Sequence, residues 1–199
     1  VAALAVIAAG GGRLLMERTR VMLGRRGDVV LPAAVETVAP VTAANDLAVA
    51  GITPIVVPNA GFYRIDTVAF GVPQVDLGSW TLRLHGLVDD QVTLTYEEIL
   101  ALPMVERYIT ISCVSNEVGG GLVGNARWLG VPLRDVLDLA GVAPGAEQLV
   151  GRSVDGFTVG FPVEAVYDGR EALLAVGMNG EPLPFEHGFP ARLVVSGLY

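Results

Sequence analysis

The chain has no lysine, a single cysteine and two histidines, so arginine supplies all 13 of its basic residues. One cysteine excludes an internal disulfide and any metal site built on a cysteine cluster. One cysteine and two histidines also fall short of an ordinary zinc centre, which takes three or four protein ligands. Aromatic residues are few, at 7%, and charged ones make up only 17%. The 52% of hydrophobic residues is enough for one sizeable core. Positive charge is scarce where it would serve a nucleic-acid partner. Residues 28–199 carry eight Arg against twenty acids, a net −12, and such an acidic body disfavours a phosphate backbone. There is no internal repeat and no low-complexity tract.

A long hydrophobic run is missing as well. Val1–Gly12 is wholly apolar, but a spanning helix needs about 20 such residues. With Arg13, Arg18 and Arg20 behind it, the run reads as the tail of a transmembrane helix leaving the bilayer. The other reading is a signal-peptide core, but there the basic cluster precedes the apolar run. Residues 1–27 are therefore expected to be the end of a membrane helix with its basic flank. Asp28–Pro58, with Pro32, Pro40, Pro54 and Pro58, lacks helical or alternating periodicity and is expected to be an extended linker on the domain surface. The body is expected over 59–199. A first residue other than Met, and an end directly after a strand-like run, suggest a fragment at both ends.

Within the body, Tyr108–Cys113 alternates as a half-buried strand and leads into a loop holding Gly119, Gly120, Gly121 and Gly124. Trp80, Leu82 and Leu84 alternate with Thr81, Arg83 and His85, which puts His85 on a polar, solvated face. Thr95 and Glu98 form a capping box that opens a short helix ended by Pro103. Leu133, Val136, Leu137 and Ala140 mark the packing face of another helix, with Gly141 at its end. Hairpins are expected over Leu149–Phe161, turning near Asp155-Gly156, and over Glu171–Pro184, turning at Asn179-Gly180. A last strand follows over Leu193–Leu198. The fold class is β-rich α+β with short helices.

Three stretches carry unusual polar residues: Phe62-Tyr63-Arg64, Cys113 with its glycine loop, and His187 with Arg192. A lone cysteine is most often a small buried hydrophobe. A thiolate also suits a soft or borderline metal. With so few protein ligands, such a metal would need most of its ligands from elsewhere, and a metal carried by an organic dithiolene cofactor fits that arithmetic. Arginine binds phosphate bidentately, and backbone N–H groups of a glycine loop also serve anions.

Cys113-Val114-Ser115-Asn116-Glu117, Asn125-Ala126-Arg127-Trp128, Met178–Pro184 and His187-Gly188-Phe189-Pro190-Ala191-Arg192 together resemble the molybdopterin-binding domain of the sulfite oxidase family. The resemblance covers about residues 59–199, and the N-terminal part is similar to that of membrane-anchored bacterial members. It implies a molybdenum cofactor (Mo-molybdopterin) with Cys113 as metal ligand. It places Asn59, Tyr63 and Arg64 along the cofactor and the substrate entrance, with Arg64 near an oxyanion. It gives Ser153, His187 and Arg192 contacts to the pterin and phosphate. The implied activity is oxygen-atom transfer on a small sulfur compound, sulfite oxidase-like, with a sulfoxide reductase of the same fold as alternative. A cofactor-free interaction domain is the alternative of another class. The implied partners are a small oxyanion or sulfoxide, a cytochrome- or quinone-linked electron carrier, and the membrane through N-terminal helices, with no nucleic acid. The implied location is the cell membrane, with the domain on the extracytoplasmic side.

Overall fold

The computed structural model describes residues 26–42, 44–45, 49–66, 72–73 and 75–199. The expected membrane-helix end, residues 1–25, lies outside them. Among the described residues no helix is long and apolar enough to cross a membrane. The elements run β1 (Thr81–Leu84), β2 (Val92–Thr95), α1 (Tyr96–Leu100), β3 (Val105–Ser112), β4 (Val123–Pro132), α2 (Leu133–Asp138), β5 (Gln148–Arg152), β6 (Thr158–Pro162), α3 (Glu164–Tyr167), β7 (Ala172–Met178), β8 (Glu181–Pro182) and β9 (Arg192–Val195). Single 3-10 turns at Asn59–Gly61 and Phe185–His187 frame the site described below. Strands dominate and the helices are short, as the composition and periodicity suggested.

The central sheet is antiparallel, in the order β3-β4-β7-β8, with β9 also pairing β7. β7 is buried along its whole length, and its Ala-Leu-Leu-Ala-Val-Gly-Met sequence suits burial on both faces. One face of the sheet carries Leu129, Val131, Leu174 and Val176 and is covered by Ile99 of α1 and Val136 of α2. The other face carries Ile109, Ile111, Ala126, Trp128 and Met178, and packs against Val57, Phe62, Leu183 and Phe189. That second layer holds the chemistry-bearing residues. Trp128 is fully buried at its centre and donates its indole N–H to the Ile109 carbonyl, 3.0 Å away. A ring of that size dominates local packing only if its one polar atom finds a partner.

The expected turns and caps are present. Thr95 and Glu98 form the capping box reciprocally at the start of α1. The β7–β8 turn is built by Asn179 at φ 54° and Gly180 at φ 86°, the doubly left-handed pair that a two-residue hairpin requires. His85 is exposed at the end of β1. β4 is a finding that the periodicity did not announce. It is ten residues long and its register against β7 shifts between Leu129 and Gly130.

The described residues among 28–58 contribute almost no regular structure, and Val35 and Glu36 close the open edge of β3. Val35 N–H donates to Met104 O at 2.7 Å, and Glu106 N–H donates to Glu36 O at 2.8 Å. The Glu36 carboxylate meets Arg107 at 2.6 Å. An uncovered edge strand is a template for unwanted pairing, and this segment removes it. Arg26, from the basic flank, is tied to the far side of the sheet. Its Nε donates to Leu183 O at 2.8 Å and its Nη2 to Pro182 O at 2.6 Å.

Candidate functional site

Cys113 follows the last residue of β3, where the ladder is kept for one more step by Cys113 N–H bonding Leu122 O at 2.9 Å. The loop beyond is closed by Asn116, whose Oδ1 accepts from Leu122 N–H at 2.8 Å. The thiol is therefore fixed by backbone on both sides. Its Sγ lies 3.0 Å from Ser115 Oγ, and this contact holds the thiol below its ordinary pKa. The loop needs close approach at its far end. A Cβ on Gly124 would sit 2.6 Å from the Phe62 ring, so any larger residue there would displace Phe62.

Phe62 is the hub that joins the three polar stretches. Its ring stacks on Tyr63 with centroids 5.3 Å apart. It meets His187 edge-on at 5.5 Å and Trp128 edge-on at 6.2 Å. His187 is the buried polar residue among the described residues. Its Nε2 lies 3.2 Å from Asn59 O. A carbonyl only accepts, so Nε2 carries the proton and Nδ1 is left as an acceptor. Burial pushes the imidazole pKa down, helped by Arg192 and Arg64 and opposed by the Asn59 bond and Glu186. His187 is thus neutral at pH 7.

Arg192 donates from Nη1 to His187 O at 3.2 Å and lays its guanidinium over Trp128, 5.4 Å from the ring centroid. It makes no ion pair with a carboxylate among the described residues. Burial lowers its pKa, and the nearby Tyr63 phenol opposes the shift. Tyr63 in turn is raised by burial, against the pull of Arg192, with Cys113 adding to the rise. Cys113, Tyr63, Arg192, His187 and Asn59 therefore form one cluster. Arg64 reaches it electrostatically through His187, but its Nε is engaged by Asp66 Oδ2 at 2.6 Å. Ser153 lies at the β5–β6 turn, with its hydroxyl hydrogen-bonded to Asp155.

Asn179, which the sequence reading placed at a hairpin turn and within a family motif but not among the site residues, is bonded to the cluster through Asn59. Its Nδ2 donates to Val57 O at 2.9 Å and to Asn59 Oδ1 at 2.8 Å, while its Oδ1 accepts from Arg127 N–H at 2.9 Å. Asn59 also donates to Met178 O at 3.1 Å. The hairpin tip thereby sets the position of the turn that carries Asn59. On the opposite face of the sheet, a groove of about 330 Å³ lies between Pro40, Pro54, Tyr108 and Arg127. It holds none of the clustered residues except the Asn179 side of the turn.

The sequence profile of the oxidoreductase molybdopterin binding domain matches residues 69–199. The chain belongs to that family. Among its relatives are the uncharacterized oxidoreductase YuiH of Bacillus subtilis, 36% identical over 62% of this chain and 60% of that protein, and the mitochondrial sulfite oxidase of Drosophila melanogaster, 33% identical over 70% of this chain and 28% of that protein. The barley nitrate reductase is 33% identical over 63% of this chain and 17% of that protein. Among solved structures, the sulfane dehydrogenase SoxCD of Paracoccus pantotrophus superposes with a TM-score of 0.65 at 29% identity, covering 73% of this chain and 40% of that one. The chain thus spans no more than about 60% of the length of these relatives.

The molybdopterin-binding domain takes a molybdenum cofactor, and the residues present fit one. Cys113 offers a partly exposed thiol whose deprotonation is favoured, as a soft-metal ligand needs. Arg192 is a half-buried cation with spare N–H donors and no carboxylate, an environment that an anionic phosphate completes. His187, neutral with Nδ1 free, adds an acceptor for a pterin N–H. Among the described residues no group of three His, Cys, Asp or Glu could hold a metal by itself.

Proposed function

We propose that the complete protein transfers an oxygen atom to or from a small sulfur compound and exchanges electrons with a cytochrome- or quinone-linked partner. The observation that carries this reading is the partly exposed thiol of Cys113, 3.0 Å from Ser115 Oγ, in one cluster with Tyr63, His187 and an Arg192 that meets no carboxylate among the described residues. Support from outside the chain comes from relatives named sulfite oxidase and sulfane dehydrogenase. When bound, the molybdenum cofactor supplies the two-electron chemistry and the oxygen exchange.

This chain's residues do the rest. Cys113 would hold the metal. Arg192 would bind the cofactor's phosphate, and His187 with Asn59 would hold the pterin edge. Tyr63, a phenol that is protonated at neutral pH and whose pKa burial raises further, would donate a hydrogen bond to the transferred oxygen and stabilise charge developing there. Sulfite oxidation consumes sulfite and water and yields sulfate, two protons and two electrons. Sulfoxide reduction consumes a sulfoxide, two protons and two electrons and yields a thioether and water. The second direction is favoured by one observation, that Arg64 is already paired with Asp66 rather than free for an anion.

We further propose a membrane tether through the N-terminal apolar run, on the strength of Val1–Gly12 and the arginines that follow. The test of function uses the full-length protein matured in a host that makes the molybdenum cofactor. With a redox dye as electron partner, it should turn over sulfite or a sulfoxide. Full molybdenum loading with no turnover of either compound would overturn the sulfur reading.

A further inference from the structure

Among the described residues the His187 imidazole has one hydrogen bond, from Nε2 to Asn59 O at 3.2 Å. A single bond fixes where the nitrogen sits and leaves the tilt of the ring open. The ring contact that restrains the tilt is Phe62, edge-on at 5.5 Å and 77°. The backbone joins the same two residues again. Phe62 N–H donates to Asn59 O at 3.3 Å, so one carbonyl receives both Phe62 N–H and His187 Nε2–H. Tyr63 uses a face of the same Phe62 ring, stacked at 5.3 Å and 25°. Edge-on and offset-stacked contacts are the two that aromatic rings favour, and Phe62 makes both at once. It is able to orient other rings because it has a fixed seat. Along β4, Gly124, Ala126 and Trp128 share one face and are buried. Small, small and large in that order leave a step in the sheet surface. A Cβ on Gly124 would lie 2.6, 2.8 and 3.0 Å from Cε2, Cζ and Cδ2 of Phe62, so the ring rests directly on strand backbone. Trp128 meets it edge-on at 6.2 Å and is itself pinned by its bond to Ile109 O.

We propose that Phe62, seated against Gly124, is a positioning residue: its ring sets the tilt of the His187 imidazole and the orientation of the Tyr63 phenol together, so that the acceptor for the pterin edge and the donor for the transferred oxygen keep one fixed relation. The inference rests on the oxygen-atom-transfer reading where it concerns Tyr63, and on the bound cofactor alone where it concerns His187. Nε2 keeps the proton only while it faces Asn59 O. Once the tilt is free, either nitrogen holds the proton, and Nδ1 stops being a constant acceptor.

The test uses the molybdenum-loaded full-length protein with two substitutions that disturb the ring in different ways. Phe62→Leu keeps an apolar side chain in the core and removes the ring. Gly124→Ala keeps the ring and pushes it out of its seat. Nitrogen NMR of labelled histidine, with His187→Gln to assign the signal, reads the tautomer. Wild type should show His187 in the Nε2–H form alone, and each variant a mixture of the two forms. A role in packing only would lower the Tm and leave the tautomer as it is. Turnover should fall about ten- to a hundred-fold in each variant, the range that a slight misplacement of reacting groups brings. The double variant should be no slower than Phe62→Leu, because leucine lacks the Cε2 and Cζ that the added methyl would strike. A pure Nε2–H form in both variants, a mixture already in wild type, or losses that multiply in the double variant overturns the proposal. The tautomer needs no turnover to be read. A loaded wild type that acts on neither sulfur compound would therefore sink the oxygen-transfer reading, while the NMR still decides the role of Phe62.

Discussion

Arg192 places its guanidinium carbon over Trp128, 5.4 Å from the ring centroid, and meets no carboxylate among the described residues. Cations left this way beside a fully buried aromatic are uncommon, because the cost of partial desolvation is repaid only by the ring and by whatever anion arrives. The cofactor's phosphate is that anion in the present account.

Arg192→Ala should therefore release the cofactor while leaving the fold. Loss of a charged hydrogen-bond partner is worth about 1.5–3 kcal/mol, or roughly ten- to a hundred-fold in affinity. Molybdenum content after gel filtration reads the bound fraction. Full occupancy would make Arg192 a packing residue on Trp128.

Asn179→Ala should cost more than its exposure suggests. The side chain makes hydrogen bonds to Val57 O, Asn59 Oδ1 and Arg127 N–H, and the backbone sits at φ 54°. Losing those bonds and placing a Cβ without local compensation at positive φ should destabilise by about 2–4 kcal/mol. Asn179→Gly keeps the backbone freedom and should be milder by about 1 kcal/mol. Thermal melts of the two variants separate the turn from the hydrogen bonds. In both, cofactor retention should fall, because Asn59 loses its support.

Ser115 should control the reactivity of Cys113 in cofactor-free protein. The Ser115 contact is the leading cause of the lowered thiol pKa, and it stabilises the thiolate. Alkylation proceeds through the thiolate. In wild type its rate should reach half-maximum at a pH below that of an ordinary thiol. In Ser115→Ala the midpoint should move up towards the ordinary value. Identical profiles would show that the hydroxyl does not hold the thiolate.

Trp128→Leu tests the layer beneath the site. The indole is fully buried and bonded to Ile109 O, and removing most of such a ring leaves a cavity. A loss on the order of 3 kcal/mol is expected, with weaker cofactor retention because Arg192 loses its platform. A Tm within a degree of wild type would contradict the packing role.

Much of this was legible in single residues. The Thr95–Glu98 box, the Asn179-Gly180 turn and the alternation of Tyr108–Cys113 each have a local physical cause, and each appears in the structure. β4 did not show itself, because Gly124, Asn125, Arg127, Gly130 and Pro132 are poor strand formers. Burial along Trp128–Val131 also erases alternation. The cap that Val35 and Glu36 form on β3 is a matter of backbone hydrogen bonds, which side-chain patterns do not encode. The link from Asn179 to Asn59 spans 120 residues and had no local signal.

The claim at the centre of the account is that Cys113 binds the metal of the molybdenum cofactor. X-ray absorption at the molybdenum edge, on full-length protein matured in a cofactor-producing host, measures the sulfur neighbours directly. The account predicts a protein thiolate in addition to the dithiolene sulfurs in wild type, and one fewer sulfur neighbour in Cys113→Ser with much of the molybdenum still bound. The same sulfur count in both proteins, or a folded wild type that carries no molybdenum, would contradict it.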